Sequence, residues 1–235
     1  MLASVGLADR YVTVPGPTGD LFVAWNEDGV SAVAPATDAA TFEKTFTGRT
    51  DRAITPGAKL PAALERSILR SIGTGKLGAL PVDLSAMTPF QHDALRVTAT
   101  IPPGEIRSYG WVAREIGRPG ASRAVGSALN RNPVPVFIPC HRVGRSDGTI
   151  GDYAFGPAMK RALLRHEGLD PKALDDDAAR GVRYVGSETT EIYCFPTCHN
   201  AKRITEAHRV EFRSARSASN AGYRTCKVCK PVAAA

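Results

Sequence analysis

Four of the five cysteines lie within the last 42 residues of this 235-residue chain, and their spacing constrains the fold more than any other feature. They form a C-x3-C pair, "CFPTC", and a C-x2-C pair, "CKVC", which 27 residues separate. Two close cysteine pairs are typical of a tetrahedral zinc site. Disulfides are not expected in a cytosolic chain, and a segment of about 55 residues buries too little apolar surface to fold without such a metal. The spacing therefore predicts one Zn²⁺ held by Cys194, Cys198, Cys226 and Cys229.

The charge of the chain is positive and unevenly distributed. The net charge is +7, and residues 181–235 carry 9 basic and 4 acidic side chains, which is +5. A basic C-terminal quarter predicts a polyanionic partner, most simply nucleic acid. No apolar run approaches the ~18 residues of a membrane span. The opening residues have no basic flank and too short an apolar stretch for a signal peptide, so we expect a cytoplasmic protein without membrane contact.

The strands and helices predicted for the remainder of the chain indicate an α/β fold. Apolar-rich strands at Leu21–Trp25 and Val30–Ala34 flank a turn and predict a hairpin. A helix ending near Gly73 follows, because apolar residues recur there at every fourth position. Thr88, Pro89 and Gln91 then supply the N-cap, first turn and capping box of another helix, which "PPG" stops after Ile101.

Two short helical patterns, "SYGWVAREIG" and "ASRAVGSALNRN", are joined by a glycine-containing turn and predict a helix-turn-helix with Val125 and Leu129 facing inward. The outer face of the second pattern carries small residues, with Arg123 near its start. Such a face can approach a DNA groove or pack against the protein itself, and the local sequence favours neither. Another helix is predicted over 156–168, followed by a polar linker with a short helical turn.

The fifth cysteine, Cys140, stands in "NPVPVFIPCHRVG". A lone cysteine is usually a small buried apolar residue. His141, however, can accept the thiol proton, and a carboxylate such as that of Glu167 would orient the imidazole. Neighbouring side chains of an extended chain point in opposite directions. Transfer of a proton from Cys140 to His141 therefore requires a bridging water or a turn at Cys140.

Residues 85–168 resemble the O6-alkylguanine-DNA alkyltransferase family, the methylated-DNA–protein-cysteine methyltransferases. The resemblance rests on "TPFQ", "IPPGEIRSYGWVA", "SRAVGSALNRNPVPVFIPCHRV", "GTIGDY" and "LLRHEG". It implies a small N-terminal α/β domain and a helical alkyltransferase domain with a DNA-binding helix-turn-helix. It also implies double-stranded DNA as the partner and single-turnover transfer of an alkyl group from guanine O6 to Cys140.

The resemblance also implies a role for each matching residue. His141 would take the proton of Cys140 through a water, Glu167 would hold His141, and Asn132 would brace the turn. Tyr109 would rotate a phosphate and hydrogen-bond the extruded base. Arg123 would occupy the space that the extruded base leaves in the base stack. Further DNA contacts would come from Ser122 and Gly126, and the guanine pocket would be lined by Pro135, Val143, Tyr153 and Ala154. Some family members carry Ser where this chain has Ala154, and a backbone contact survives that change.

Residues from Arg183 to Pro231 resemble the Ada-type zinc-binding domain, which implies a small zinc-stapled α+β domain. In that family the first cysteine of the C-x3-C pair, here Cys194, accepts a methyl group from DNA methylphosphotriesters. Four thiolates on Zn²⁺ carry a net charge of −2, and methylation would reduce it to −1 and weaken repulsion from phosphate. In the best-known arrangement this domain precedes the alkyltransferase, whereas here it follows, and no further regulatory helix-turn-helix lies between them.

These expectations combine into a monomeric DNA repair protein. Its predicted parts are an α/β domain (1–82), an alkyltransferase domain (83–170), a linker (171–181) and a zinc domain (182–235). The main alternative is a methylation-sensing DNA-binding regulator of the alkylation response. A hydrolase triad of Cys, His and Glu is disfavoured because sequence neighbours seldom make the required thiol–imidazole contact. A base-flipping protein that only binds DNA is disfavoured by the presence of Cys140.

Overall fold

A computed structural model of the chain describes residues 8–231. Residues 1–7 and 232–235, which are the ends of the first and last predicted domains, lie outside the described residues. The strands are β1 Ala8–Gly16, β2 Gly19–Asn26, β3 Gly29–Pro35, β4 Ala53–Pro56, β5 Arg107–Ser108, β6 Val143–Gly144, β7 Tyr184–Ser187, β8 Ile192–Cys194, β9 Arg209–Phe212 and β10 Arg224–Thr225. The helices are α1 Ala39–Thr50, α2 Ala62–Thr74, α3 Pro89–Thr98, α4 Tyr109–Glu115, α5 Ser122–Asn130, α6 Gly156–His166, α7 Pro171–Arg180 and α8 Ala215–Asn220. Over residues 8–231, no helix has the length and apolar character needed to cross a membrane.

The described chain divides into two compact units. One unit runs to Ala99 and also includes Arg131–Cys140, and the other comprises Thr100–Asn130 and the chain from His141 onward. This division follows spatial contacts and differs from the predicted boundaries at 82 and 181, which stay predictions. The mixed α/β character predicted from the sequence is confirmed.

The first unit is built on a four-stranded sheet of order β3-β2-β1-β4. The predicted hairpin is confirmed as the antiparallel β2–β3 pair, while β4 runs parallel to β1. Aromatic residues from the sheet and from α1 bury one face in a cluster that includes Tyr11, Phe22, Phe42 and Phe46. Such a cluster stabilises the sheet because a two-stranded hairpin alone is marginal in water.

Helix α3 begins as its sequence predicts. The side chain of Thr88 accepts a hydrogen bond from the Gln91 N–H at 3.4 Å, and the Gln91 side chain accepts one from the Thr88 N–H at 2.9 Å. This reciprocal capping box satisfies two N–H groups that the helix leaves without partners. The helix ends at Thr98, ahead of the predicted stop.

The segment that ends at Cys140 belongs to the first unit. The N–H of Val33, in the edge strand β3, donates to the carbonyl oxygen of Pro133 at 2.8 Å. Pro133 has no N–H to donate, so its carbonyl oxygen makes the contact with β3.

In the second unit the predicted helix-turn-helix is present as α4 and α5. The Ser108 side chain caps α4 by accepting from the Trp111 N–H at 3.1 Å. Val125, Ala128 and Leu129 are the buried residues of α5, which confirms its predicted inner face. Strands β5 and β6 form a short parallel pair that places Arg107 opposite Val143.

The segment predicted as a linker, 171–181, holds the ten-residue helix α7, which corrects the expected short turn. Asp170 caps its first turn, Pro171 occupies the first position, and Gly181 ends it in the left-handed conformation with φ 82. Arg161 of α6 pairs with Asp175 of α7 at 2.6 Å. The run of aspartates suggested a linker, but the capping residues at both ends determine a helix.

The cysteine-bearing residues 182–231, called here the zinc segment, form a four-stranded sheet of order β10-β8-β7-β9 with α8 beside it. One face packs Tyr184, Tyr193 and Phe212 against Ala215 and Ala218 of α8. A second cluster contains the four cysteines together with Val182, Val185 and Ala201.

Candidate active site and zinc centre

The side chain of Asn132 braces the segment that leads to Cys140. Its Nδ2 donates to the carbonyl oxygen of Ile138 at 2.9 Å and to Sγ of Cys140 at 3.3 Å. Its Oδ1 accepts from the N–H of Val134 at 3.0 Å. Asn132 and Cys140 are each only 6% exposed. A sulfur that accepts a hydrogen bond is favoured in its ionised form, so Asn132 supports a thiolate at Cys140.

Backbone strain lies within the same segment. Val136 adopts φ 76, in the left-handed region that a β-branched residue rarely occupies. Such a conformation costs of order 1–3 kcal/mol and persists where neighbouring contacts fix it. Here the Ile138 N–H donates to the Val134 carbonyl oxygen at 2.9 Å, which closes the turn around Val136.

Cys140 begins a 3-10 turn, Cys140–Arg142. The sequence predicted either a turn or a bridging water between Cys140 and His141, and the chain makes the turn. The Cys140 N–H donates to the Ile138 carbonyl oxygen at 2.9 Å. This hydrogen bond fixes the backbone at the residue where the turn begins.

The carboxylate of Glu167 binds both residues that follow Cys140. Nε2 of His141 lies 2.8 Å from Oε1 of Glu167. Arg142 donates from Nε to both carboxylate oxygens at 3.0 Å and from Nη2 to Oε1 at 2.6 Å. Its Nη1 donates to the carbonyl oxygen of Ile101 at 2.7 Å. Since His141 and Arg142 are each only 1% exposed, this is a buried, hydrogen-bonded charge cluster.

The cluster sets the protonation states of its members. Burial opposes ionisation of Glu167, but the hydrogen bonds and charges of His141 and Arg142 outweigh burial and lower its pKa to about 2. Burial also lowers the pKa of His141, although Glu167 acts in the opposite direction. At neutral pH the site therefore holds a carboxylate and a neutral imidazole.

These protonation states determine the tautomer of His141. A carboxylate only accepts hydrogen bonds, so the ring nitrogen facing Glu167, Nε2, carries the hydrogen. Nδ1 is then the basic nitrogen. It is buried and has no hydrogen-bond partner among the described residues. The geometry thus presents a neutral histidine whose unprotonated nitrogen is free to accept a proton.

Gly104 supplies the remaining support of the carboxylate. Its N–H donates to Oε2 of Glu167 at 3.0 Å. Gly104 has φ 69, and a Cβ at this position would lie 2.8 Å from the Glu167 carbonyl oxygen. Only glycine fits this combination of conformation and close approach.

The predicted DNA-contacting residues lie on the helix-turn-helix. Tyr109 is the first residue of α4 and is half-buried. A Cβ on Gly126 of α5 would lie 3.8 Å from Cε1 of Tyr109, so the ring packs on the exposed backbone of that glycine. Ser122 begins α5 and is half-buried, while Arg123 is exposed. The structure therefore brings Tyr109 and Gly126 together and leaves Arg123 facing solvent.

The predicted pocket residues have different environments. The carbonyl oxygens of Val143 and Asp152 accept hydrogen bonds from Nζ of Lys160 at 2.6 and 3.1 Å. The Tyr153 ring lies edge-on to His141, with 6.3 Å between ring centroids. Ala154 is exposed, and Pro135 is buried in the first unit. Lys160 is only 1% exposed, and it fixes the backbone at Val143 and at Asp152, the residue before Tyr153.

The four clustered cysteines form a cation site. Their sulfur atoms all lie within 4.8 Å of one another, and all four residues are buried. Zn–S bonds of about 2.3 Å in a tetrahedron place sulfurs about 3.8 Å apart, so the cluster has the right size and donor set. Nδ2 of Asn200 donates to Sγ of Cys226 at 3.5 Å. Hydrogen bonds with Cys198 and Cys229, together with burial, raise the pKa of Cys194, whereas the hydrogen bond with Cys194 lowers the pKa of Cys198. The thiols thus share protons, which a bound cation displaces.

The zinc segment packs against residues 104–115 of the same unit. The Trp111 indole N–H donates to the carbonyl oxygen of Cys229 at 3.0 Å, and Nη2 of Arg114 donates to that of Lys230 at 2.8 Å. The Arg107 guanidinium lies 5.6 Å from the Trp111 ring and 5.4 Å from the Phe195 ring. Arg107 also pairs with the buried carboxylate of Glu105. The contact combines one buried hydrogen bond, from Trp111, with an exposed one from Arg114 and with the cation–π contacts of Arg107.

Sequence reasoning missed three residues of the site: Gly104, Arg142 and Lys160. Arg142 lies within the "PCHRV" motif, but an arginine in a loop is usually solvated, and nothing local shows that it is buried. Lys160 lies in a helix that the spacing of apolar residues predicts, but that spacing does not predict a buried lysine. From the sequence, Gly104 is interpreted only as part of the "PPG" turn that stops a helix. The sequence signals available for these residues were the "PPG" turn, which contains Gly104, and the "PCHRV" motif, which contains Arg142.

A family model described as "6-O-methylguanine DNA methyltransferase, DNA binding domain" matches residues 89–169. A second, described as "Metal binding domain of Ada", matches residues 173–232. This match and the cysteine cluster together confirm the prediction of one Zn²⁺.

Curated relatives match over different lengths. A methylated-DNA–protein-cysteine methyltransferase of Shigella flexneri is 49% identical over 81 residues, which cover 34% of this chain and 47% of that protein. For this relative and similar ones, the matched part spans about half of the relative's length. A protein of the same name from Mycobacterium bovis is 38% identical over 160 residues, which cover 67% of this chain and 92% of the relative.

A solved structure shares the architecture. The crystal structure of Mycobacterium tuberculosis OGT in complex with DNA matches with a TM-score of 0.55 and 32% identity, covering 68% of this chain and 93% of that one. The predicted family resemblance is confirmed by this structure and by the Mycobacterium bovis relative. The chain therefore belongs to the methylated-DNA–protein-cysteine methyltransferase family.

Proposed function

We propose that this protein repairs double-stranded DNA by moving an alkyl group, typically methyl, from O6 of guanine to Sγ of Cys140. In this proposal it is a methylated-DNA–[protein]-cysteine S-methyltransferase that acts once per molecule. The observation that carries the proposal is the buried Cys140–Arg142 turn, in which Asn132 donates to the sulfur and Glu167 holds the next residue, His141. Family membership supplies the substrate class.

The proposed reaction begins with a proton transfer. The Cys140 proton passes through a water to Nδ1 of His141. Nδ1 is the basic nitrogen of the ring because Nε2 carries the hydrogen that faces Glu167. The resulting imidazolium lies against the Glu167 carboxylate, whose charge stabilises it. The thiolate receives a hydrogen bond from Asn132 and becomes the nucleophile.

Transfer is then an in-line displacement at the alkyl carbon. The S–C bond forms as the C–O6 bond breaks, and the electron pair of that bond leaves with guanine. A hydrogen bond from Tyr109 stabilises the leaving base and supplies its proton. The product at Cys140 is a thioether, which has no electrophilic carbonyl for water to attack. Consequently the sulfur is not regenerated, and the stoichiometry is one alkyl group per molecule.

DNA binding in this proposal uses the helix-turn-helix. Guanine O6 is inaccessible to Cys140 in a duplex, so the base must be extruded. The exposed Arg123 at the start of α5 fills the gap that the base leaves, while Ser122 and Gly126 approach the DNA backbone. Backbone and side chains of Pro135, Val143, Tyr153 and Ala154 receive the extruded base.

The test is peptide mass spectrometry after incubation with a duplex that contains one O6-methylguanine. We expect one added methyl group on the peptide that contains Cys140 and none in Cys140→Ala. A matched duplex with unmodified guanine is the control. An unmodified Cys140 peptide, or more than one methyl group removed per protein molecule, would overturn the proposal. Light scattering in the same buffer tests the predicted monomer.

A second activity is proposed for the zinc centre, on the basis of the match to the metal-binding domain of Ada. There Cys194 accepts a methyl group from a DNA methylphosphotriester. Zinc keeps thiols deprotonated, and four thiolates give the centre a net negative charge that favours nucleophilic attack. Since Cys194 is only 2% exposed, its sulfur must become accessible to the DNA backbone during this reaction.

A methylphosphotriester duplex without O6-methylguanine separates these possibilities. Methyl label on Cys194 supports the second transfer, whereas an unlabelled Cys194 restricts this residue to binding zinc. If methylation of Cys194 also raised affinity for a promoter sequence over random DNA, the alternative function as a methylation-sensing regulator would be favoured. Equal affinity for both DNAs would exclude that alternative. The cytoplasmic location stays a prediction that fractionation can test.

A further inference from the structure

We propose that the zinc segment positions the residues that activate Cys140: Lys202 holds Gly104, and Gly104 holds the Glu167 carboxylate that orients His141. This inference rests on the proposed function at Cys140. It assigns to Lys202 the part of a positioning residue, because its side chain acts on the reacting groups only through Gly104 and Glu167.

Three consecutive residues of the alkyltransferase region are bound by the zinc segment. Nζ of Lys202 donates to the Gly104 carbonyl oxygen at 2.9 Å. The His199 N–H donates to Oε1 of Glu105 at 3.0 Å, and the Ile106 N–H donates to Oγ1 of Thr197 at 2.8 Å. The loop 104–106 is therefore held at each residue by the segment 197–202.

The zinc ligand Cys198 lies within that segment. Its carbonyl oxygen accepts a hydrogen bond at 3.1 Å from the N–H of Lys202, a residue of the 3-10 turn Ala201–Arg203. A cation bound at Cys198 fixes the same short stretch that carries Thr197, His199 and Lys202. The zinc centre thereby holds the groups that contact the loop.

The opposite side of the loop contacts the active-site carboxylate. Gly104 donates its N–H to Oε2 of Glu167, while Oε1 faces His141. A Cβ on Gly104 would lie 2.8 Å from the Glu167 carbonyl oxygen and 3.3 Å from Nζ of Lys202. Gly104 thus lies between the Glu167 backbone and the ammonium group of the exposed Lys202 side chain, in contact with both.

Loss of this support has a chemical consequence. Among the described residues, Glu167, Arg142 and Lys160 are the charged groups with the largest effects on His141, and of these three only Glu167 stabilises its protonated form. If the carboxylate is less firmly oriented, the imidazolium that accompanies the Cys140 thiolate is less stable. The thiolate fraction at neutral pH then falls. At high pH the thiol ionises without the help of His141, so the effect disappears.

The experiment uses full-length, zinc-loaded protein and an O6-methylguanine duplex under single-turnover conditions. The rate at saturating DNA and the half-saturating DNA concentration are measured from pH 6.5 to 9 for wild type, Lys202→Met and Lys202→Arg. Lys172→Met is the matched control, since Lys172 is a solvent-exposed lysine of the same unit whose ammonium group pairs with Asp176 in α7. Zinc content and thermal unfolding verify that each variant is folded.

We expect Lys202→Met to lower the saturating rate at pH 7 by a factor of about 3 to 10, the range of one hydrogen bond of ordinary strength. The deficit should close toward pH 9, and the half-saturating DNA concentration should not change. Lys202→Arg retains a donor and should recover most of the rate, and Lys172→Met should match wild type. A Lys202→Met rate equal to that of wild type, or a deficit that is the same at every pH, would overturn the inference. Failure of the wild type to transfer any methyl group would instead refute the proposed function.

Discussion

Trp111 of the helix-turn-helix donates its indole N–H to the carbonyl oxygen of the zinc-cluster residue Cys229 at 3.0 Å, and this hydrogen bond is buried. A residue of helix α4 is thus hydrogen-bonded to the backbone of a cysteine in the zinc segment, 118 positions later in the chain. The stability of helix α4 and that of the zinc segment should therefore be coupled.

Replacing Trp111 with Phe tests this coupling. The change keeps an aromatic ring near Arg107 but leaves a buried carbonyl oxygen without its donor, which costs about 1–3 kcal/mol. We expect Trp111→Phe to lower the free energy of unfolding, measured in denaturant, by about 1–3 kcal/mol more than Trp25→Phe does. Trp25 is equally buried at 7% exposure, and the described part of the chain shows no hydrogen bond from its indole. Equal losses in the two variants would show that the hydrogen bond contributes nothing.

Asn132→Asp isolates the hydrogen bond to the sulfur. The aspartate still accepts from the Val134 N–H, but it cannot donate to Cys140 and places a negative charge near Sγ. Like charges disfavour ionisation, so the rate of Cys140 alkylation by iodoacetamide at pH 7 should fall at least about tenfold. Asn220→Asp, at the exposed end of α8, is the control. An unchanged rate in Asn132→Asp would mean that Asn132 acts on the backbone alone.

Because of the Glu167 carboxylate, the free energy of unfolding should decrease at acidic pH. Its pKa falls from 4.5 in the unfolded chain to about 2 in the folded one, a difference worth about 3 kcal/mol. Because the folded pKa is the lower one, this stabilisation is complete above about pH 5 and is lost as the pH falls toward 2.

The variant Glu167→Gln removes that dependence. At pH 7 it leaves the buried Arg142 unpaired and should cost about 3–5 kcal/mol. The difference in unfolding free energy between wild type and Glu167→Gln should shrink by about 3 kcal/mol between pH 5 and pH 2. Glu27→Gln, in an exposed turn, controls for the general effect of removing a carboxylate. A difference that stays constant with pH would contradict the assigned charge of Glu167.

Removing the metal should affect more than the zinc segment. We expect one zinc per chain by elemental analysis, and binding that weakens as the pH falls because the thiols must lose protons. After chelation, hydrogen exchange should accelerate in residues 182–231 and also in α4, since Trp111 and Arg114 contact the zinc segment. Cys198→Ser should reproduce this pattern without chelator, while Cys140→Ser should keep its zinc. Unchanged protection of α4 in metal-free protein would refute the coupling.

Local signals in the sequence predicted a large part of this molecule. The capping box of Thr88 and Gln91 and the helix-turn-helix depend on residues close together in the chain, and each is present as expected. The cysteine cluster joins two pairs that are separated by 27 residues, but the close spacing within each pair was enough to predict it. Helix α7 was underestimated because its aspartates outweighed the capping signals of Asp170 and Gly181. Helix α1 was missed because its polar and apolar residues show little helical periodicity.

The contacts between distant segments could not be predicted. Ile106 and Thr197 are 91 positions apart, and Gly104 and Lys202 are 98 positions apart. Neither pair follows a spacing rule, since their proximity depends on how the zinc segment packs. The burial of Arg142 is equally invisible in the sequence, because only the fold shows that Glu167 and the Ile101 carbonyl oxygen surround its guanidinium.

The packing of Arg107 between Trp111 and Phe195 has a practical consequence for producing this protein in pieces. A fragment truncated after Gly181 would expose the Trp111 ring and remove the His199 N–H that binds Glu105. Such a fragment should precipitate or associate at concentrations at which the intact chain stays dispersed. Expression trials and domain-exchange designs are therefore better served by keeping residues 100–231 on one polypeptide.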